Sequence, residues 1–477
     1  MLVVAIALTL GVARVPANAQ AHVTQSSDTA LKVRTMFPPD PLSQIPRTPI
    51  PSSIKDGFTF AAVGDLIGPG RPVVALKDPE LEKVSAILQH ADVAFANNEG
   101  GIFDLRSFTG YPAAENGGGD PVGVADVAKD LREMGIRMVS KANNHATDWG
   151  IAGLQATERV LDEAGIVHAG SGRNRAEARA PAYLESSSGR IALVATASTF
   201  TPMSMAGAPE GEAPGRPGIS VLRTRLIVLV TPAEMTSLRR IAADQGEAMR
   251  DGAKDLHLMG QIYREAAKPG VTYEMNPYDE YEILKSIRGA KQTSDFTVFS
   301  IHAHESGIGG DTDPADFQPT LFHRAVDAGA DMVIEHGPHV LRGIEIYKNK
   351  PIFYGLGSFF YYMEEDRAPV PDRFEQMNLD PASVTYIEYL HSRFRDSPSS
   401  YESVIAVSEF QGGMVKEIRL YPLDLRYSPE PTKDLGIPRL ASPELGKTIL
   451  NQLQRESKRF GTEIRIENNI GIIRVNR

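Results

Sequence analysis

Five short stretches bring carboxylate, amide and imidazole groups to the ends of apolar runs. They are "VGD" with Asp65, "ANNEG" with Asn97, Asn98 and Glu99, "KANNHATD" with Asn143, Asn144, His145 and Asp148, "SIHAHES" with His302, His304 and Glu305, and "IEHGPHV" with His336 and His339. Oxygen and imidazole donors together suit Mn, Fe, Zn or Mg rather than a metal that needs soft ligands. A divalent ion held this way polarises a phosphoryl oxygen and lowers the pKa of bound water, and two ions about 4 Å apart clamp both oxygens of a displacement. The set predicts hydrolytic chemistry at one or two ions.

Each stretch also has a plainer use. Asp65 after a strand can form a turn or cap a helix, and Glu99 beside two glycines can be a solvated loop carboxylate. Asn143 and Asn144 can supply left-handed turn geometry. Asp148 is expected to cap the helix that begins at "WGIAGL". Alternate residues of a strand face opposite sides, so only one of His302 and His304 is expected to face a site. His336 and His339 flank Gly-Pro, where the chain turns, so both can face one point. What favours a site is the recurrence of the pattern at five strand ends.

The elements that must position these groups alternate along the chain. "GFTFAAVGD" reads as a first strand, Phe58 to Val63, and "PELEKVSAILQHA" as a helix. "DVAFANNEG" and "IRMVSKANNH" read as strands, with "GVADVAKDLREMG" between them as a helix. Later strand-like runs are "GRIALVATAST", "DFTVFSIHAHES", "DMVIEHGPH" and "KPIFYGLGSFFY". Alternation of this kind argues an α/β layered fold, with ligands outside the strand ends. Residues 226–292 read as a mostly helical insertion, and 366–477 as a small C-terminal α+β extension packed on the core. Residues 20–56, rich in Pro, Ser and Thr, read as an arm outside the core.

Composition narrows the class. The 477 residues are 42% hydrophobic and 23% charged, as in a globular chain. A formal charge of −10 argues against nucleic acid as partner, while a bound cation would still admit an anionic substrate. Residues 1–19, with "LVVAIALTLGVA" followed by "ANA", read as a cleavable export signal, so the protein is expected in the periplasm or secreted, with no stable membrane span. Cysteine is absent, which excludes disulfides and thiolate metal sites.

The order "VGD … ANNEG … KANNHATDWG … HAGSG … SIHAHE … GADMVIEHGPHVLRGIEIYKNKPIFYGLGSFFY" resembles the CapA, or poly-γ-glutamate capsule-synthesis (PGA_cap), family over roughly 58–365. That family in turn resembles the calcineurin-like metallophosphoesterases. The resemblance implies a layered αββα core spanning 57–365. It implies Asp65 as the first metal ligand, Glu99 where the superfamily often has a bridging aspartate, and Asn144 as a metal-bound amide. His302, His336 and His339 would be imidazole ligands. His145 would be the phosphate-facing acid, with Asn98 and His304 as further catalytic candidates.

This sequence departs from the wider pattern in four places. "VGD" lacks the D-x-H pair, H-G-P-H replaces G-H-x-H, "HAHES" replaces H-W-G-x-E, and Ser358 stands where Asn is usual. The implied function is envelope work on poly-γ-glutamate or a related anionic polymer, by metal-dependent phosphoester hydrolysis, with capsule-synthesis membrane proteins as partners. A non-catalytic polymer-binding or export component and a γ-glutamyl amide hydrolase are the alternatives.

Overall fold

The computed structural model describes residues 45–475, apart from 47, 69, 114–120, 247–252, 362–373, 376, 386–387, 390–397, 429–431 and 433. The signal segment, most of the arm and the start of the C-terminal extension lie outside the described residues.

The first strand is β1 (Thr59–Ile67), followed by α1 (Pro79–His90), β2 (Val93–Asn97), α2 (Asp126–Glu133), β3 (Ile136–Ser140), α3 (Gly150–Glu163) and β4 (Val167–Ala169). β1 to β4 pair in that order, all parallel. Helices between parallel strands cover one face of the sheet. Leu81, Val84, Val127, Leu131 and Leu161 of these helices pack on Ala61, Val63, Ala94 and Val139. The alternate side chains Phe60, Ala62, Phe95 and Met138 face the opposite way, into the main core.

A second sheet starts with β5 (Ala182–Ser186) and β6 (Gly189–Ala197). The chain then leaves it through β7 (Thr224–Val230), α4 (Pro232–Asp244), β8 (Asp255–Leu258), β9 (Gln261–Glu265) and β10 (Gly270–Met275). It returns through α5 (Pro277–Thr293), β11 (Phe296–His302), α6 (Phe317–Ala328), β12 (Met332–His336), β13 (Ile344–Tyr347) and β14 (Lys350–Phe353). The six-stranded order is β13-β14-β12-β11-β6-β5. Ile283, Ile287, Leu321 and Phe322 of α5 and α6 cover its outer face. Its inner face, with Leu193, Phe296, Val298 and Ile334, meets the first sheet. The result is the expected αββα layering. Phe296 lies at the seam, 5.2 Å from Phe58 and 4.7 Å from Phe410 between ring centres.

Two boundaries differ from the sequence reading. Residues 226–292 are not mostly helical: β7 to β10 form a four-stranded sheet in the order β8-β9-β7-β10, with α4 packed through Met235 and Ala242. Strands such as "QIYRE" are intermediate or exposed throughout, so they lack the apolar alternation that marks a strand. The C-terminal region is not an extension packed on the core either. After β15 (Ser358–Tyr361), the hairpin β16 (Glu402–Gln411) and β17 (Met414–Asp424) joins the first sheet, with β16 antiparallel to β1. α7 (Pro443–Lys458) follows, then β18 (Arg465–Glu467) and β19 (Ile470–Arg474), which extend that sheet from β17. The pairing of β16 with β1 is invisible to local pattern because the two strands are distant in sequence.

The end of the arm also belongs to the core. Ile54 is buried there, and the backbone N–H of Ser53 donates to Asp295 O at 3.2 Å. Among the described residues, no helix is long and apolar enough to cross a membrane.

Candidate metal centre

Parallel strands share one C-terminal edge, and the five polar stretches lie on it. Register makes the alignment concrete. Asp65 sits opposite Asn97, and Asn97 opposite Ser140, in the first sheet; His302 sits opposite His336 in the second. Phe95 of the first sheet lies against His336 of the second, 5.5 Å between ring centres.

Glycine lets the chain close in behind Asp65. A Cβ at Gly64 would fall 1.8 Å from Gly357 O, so β15 can approach there only because residue 64 has none. The neighbouring Asp65 N–H donates to that same oxygen at 3.2 Å.

The carboxylate of Asp65 is fully buried. It accepts from Asn97 Nδ2 at 2.8 Å and from Gly337 N at 3.1 Å. His339 Nδ1 lies 3.2 Å from Asp65 Oδ2, and His336 Nδ1 lies 3.7 Å from Oδ1. His339 reaches this position with φ +55, a left-handed backbone that is uncommon for a side-chain-bearing residue. Glu99 faces three imidazoles: His302 Nε2 at 3.6 Å, His339 Nε2 at 3.7 Å and His145 Nε2 at 3.9 Å. Two groups have ligand atoms close enough to share an ion, Asp65–Glu99–His302 and Glu99–His304–His339, and Glu99 is common to both.

The decisive feature is what these groups lack. Both oxygens of Glu99, both ring nitrogens of His336 and Oδ1 of Asn144 are buried without a hydrogen-bond partner. Buried polar atoms are almost always paired, and several orphans around one carboxylate are the expected shape of a cation site. The donor set fits a hard or borderline divalent metal, and these His, Asp and Glu groups could hold one.

Electrostatics agree. Burial would raise the Asp65 carboxyl, but the hydrogen bond from His339 and its interactions with the imidazoles of His339, His336 and His302 hold it well below the usual carboxylate range. Burial, with the negative charges of Asp65 and Asp148, pushes Glu99 well above it. Burial lowers His336 to about 4. Burial and the neighbouring His339 lower His304 to about 3, and burial with His304 beside it takes His302 well below the imidazole range. Near neutral pH these three rings therefore keep free lone pairs, which is the form that binds a metal.

Three expectations for single residues change. His302 and His304 do not diverge: their Nε2 atoms are 3.0 Å apart, because β11 ends at His302 and the alternation ends with it. Asp148 does not cap α3. The N-cap is Trp149, without a side-chain cap, and Asp148 Oδ2 holds His145 Nδ1 at 2.6 Å. Asn98, taken as a catalytic candidate, turns its amide to Gly100 O at 3.1 Å and so shapes the loop that carries Glu99.

Four residues gain a supporting place: Asn97 and Ser358, which the sequence reading named without this role, and Lys141 and Arg342, which it passed over. Asn97 Nδ2 joins Asp65 to His302 Nδ1, the latter at 3.1 Å; its place in register with Asp65 was the available signal. Ser358 Oγ lies 3.3 Å from His339 Nδ1. Lys141 is fully buried and donates to Gly100 O at 2.6 Å; burial brings its amine down to about 8, against the pull of Glu158, Asp148 and Glu99. Arg342, also buried, donates to Glu335 Oε1 at 2.7 Å and to Glu305 O at 3.3 Å, tying the end of β12 to the His304 loop.

The comparisons with known proteins meet this geometry. The family described as "Bacterial capsule synthesis protein PGA_cap" matches residues 59–362. The chain belongs to that family. Among relatives of this PGA_cap chain, "Uncharacterized protein y4sH" of Sinorhizobium fredii is 43% identical over 440 residues, 89% of this chain and 94% of that one. "Capsule biosynthesis protein CapA" of Bacillus anthracis is 26% identical over 325 residues, 66% of this chain and 62% of that one. "PGA biosynthesis protein CapA" of Bacillus subtilis is 40% identical over 93 residues, 20% of this chain and 23% of that one. The PGA_cap match begins at β1 and ends just past β15, so every residue of the candidate centre falls inside it.

Proposed function

We propose that this PGA_cap protein is a metal-dependent hydrolase of the cell envelope, cleaving a phosphoester in the assembly of poly-γ-glutamate or a related anionic capsule polymer. The observation that carries the reading is the set of buried, unpartnered ligand atoms on Glu99, His336 and Asn144, with Glu99 common to both groups that could share an ion. Relatives named for capsule and PGA biosynthesis support the polymer. Capsule-synthesis membrane proteins are the proposed partners.

Asp65, Glu99 and His302 would hold one ion and Glu99, His304 and His339 a second, with His336 and Asn144 beside them. A divalent ion there supplies positive charge that polarises the phosphoryl oxygen. The chain's own residues do the rest. His145, held through Nδ1 by Asp148, presents Nε2 toward the site and gives its proton to the leaving oxygen. Asp148 then stabilises the orientation of the ring. Asn97, Lys141 and Arg342 hold the ligand loops in place, as supporting residues of a metal site must.

Elemental analysis of protein purified without chelator, with turnover of aryl phosphoesters across Mn, Fe, Zn and Mg, tests this. Bound metal and phosphoester turnover are expected. Bound metal with turnover of γ-glutamyl peptides instead would make the protein an amide hydrolase. Polymer binding without metal or turnover would overturn the hydrolase reading.

A further inference from the structure

A cluster of arginines stands beside the metal centre and takes no part in it. Arg179 and Arg223 both bind the carboxylate of Asp279, through Nη2 at 2.6 Å and Nε at 2.6 Å respectively. Arg175 and Arg179 both lie over the ring of Tyr278, 5.4 Å and 5.6 Å from its centre. Among the described residues Arg175 makes no ion pair, and the nearby Glu177 is taken by Arg173. Two guanidiniums thus share one buried carboxylate while a third, Arg175, lies over the neighbouring Tyr278 ring, a local excess of positive charge in a chain of formal charge −10. Arg179 is itself buried, yet its Nε and Nη1 have no hydrogen-bond partner.

Topology sets where this cluster lies. Tyr278 and Asp279 open α5, and α5 runs directly into β11 across a two-residue turn, Ser294–Asp295. A helix packed antiparallel to the strand that follows it begins at the edge where that strand ends. The cluster therefore shares an edge with His302 and His304. A hydrogen-bond chain joins the two: Thr224, next to Arg223, donates to Glu305 Oε1 at 3.1 Å, and Thr199 donates to Glu305 Oε2 at 3.0 Å. Thr199 Oγ1 also accepts the His304 N–H at 2.8 Å. A groove of about 300 Å³ is lined by Arg223, Thr224, Arg225, Glu274 and Asn276, residues that include the Thr224 of this chain.

We propose that Arg175 and Arg223, braced by Arg179 and Asp279, form a carboxylate-binding subsite that holds a remote segment of an extended polyanion while another segment reaches the metal centre. This rests on the reading of the protein as acting on an anionic polymer and names the residues that would grip it. Guanidinium groups bind carboxylates in a planar fork; Asp279 already holds the Nε–Nη2 edge of Arg223, at 2.6 and 3.1 Å, so Arg223 is fixed in place and lends its charge, while Arg175, over Tyr278, offers its fork to the ligand. A polymer with a carboxylate on every repeat can occupy the metal centre and the arginines together. A single glutamate or inorganic phosphate cannot.

The test uses the full-length protein and fluorescently labelled poly-γ-glutamate, with glutamate and inorganic phosphate as small competitors. Arg175→Glu disturbs no ion pair among the described residues and is expected to weaken polymer binding about tenfold. Its binding should also respond less to added salt than that of the native protein. Arg223→Lys keeps the charge but loses the fork, and is expected to fall between the two. Aryl phosphoester turnover and metal content should be unchanged in both variants. Native-like polymer affinity in Arg175→Glu, or no polymer binding by the native protein, would overturn the subsite. Loss of metal or of phosphoesterase activity in the native protein would overturn the hydrolase reading alone, since the arginine dependence of polymer binding is measured separately.

Discussion

The two sheets contribute different chemistry to the same point. The first sheet and its loops bring the carboxylates, the amides and the proposed proton donor: Asp65, Asn97, Glu99, Asn144 and His145. The second brings His302, His304, His336 and His339. Neither set closes a cation site alone, because each ligand group takes its carboxylates from one sheet and its imidazoles from the other. The seam of aromatic side chains that presses the sheets together is therefore as much a part of the centre as the ligands are. The difference also divides the protons. Burial keeps His302, His304 and His336 of the second sheet neutral near neutral pH, whereas Glu99 of the first holds its proton more tightly than an ordinary glutamate.

The largest effect is expected from Glu99→Gln, since that carboxylate is common to both ligand groups. Metal should vanish from the purified protein by elemental analysis; retention of one equivalent would show that the sheets can form a site without it. His145→Ala should keep the metal but lose about 10²–10⁴-fold in turnover, the range for a general acid. Asn144→Ala should do the reverse and loosen the metal. A histidine variant that lost metal as well would make His145 a ligand.

The seam comes next. Phe296→Ala removes a ring packed against Phe58, Phe60 and Phe410. It should cost about 3–5 kcal/mol in denaturant unfolding. A cost near zero would mean that the sheets are held by something else.

Smaller is the effect of pH on metal uptake. Glu99, with its pKa raised, keeps its proton to higher pH than an ordinary glutamate, so metal affinity should rise as pH increases, with a proton released wherever Glu99 is still protonated. Calorimetry in two buffers of different ionisation enthalpy reads that proton directly. Release of several protons would place the neutral histidines of the second sheet in doubt.

The smallest effect is expected from removing residues 1–44, which should leave the thermal midpoint nearly unchanged. Cutting on through Ile54 should lower it, because that side chain lies in the core between the sheets.

Much of this was legible beforehand. The strand-end polar groups stood out because each follows a run apolar enough to be buried, and parallel strands bring such ends to one edge. Asn97 was harder to see, since its role depends on register between strands rather than on its own neighbours. That His302 and His304 face each other was missed because strand alternation was extended two residues past the end of β11. Asp148 looked like a cap by position, but a histidine three residues earlier competed for it and won. The inserted sheet was hidden by its polar, half-exposed strands. The C-terminal strands were hidden by distance: nothing local in Glu402–Gln411 says that its neighbour is β1.

That last pairing bears on how the molecule comes into being. Thr59 faces Glu409, so a strand that leaves the ribosome early has its antiparallel neighbour synthesised near the end. Contacts so far apart in sequence form slowly, and an apolar strand left waiting is exposed to misassociation. β2 can pair with one edge of β1 early, but the other edge waits for β16 until translation is nearly complete. A protein stopped short of β16 would therefore carry an unpaired strand edge in the middle of its larger sheet, even though every residue of its candidate metal centre had already been made.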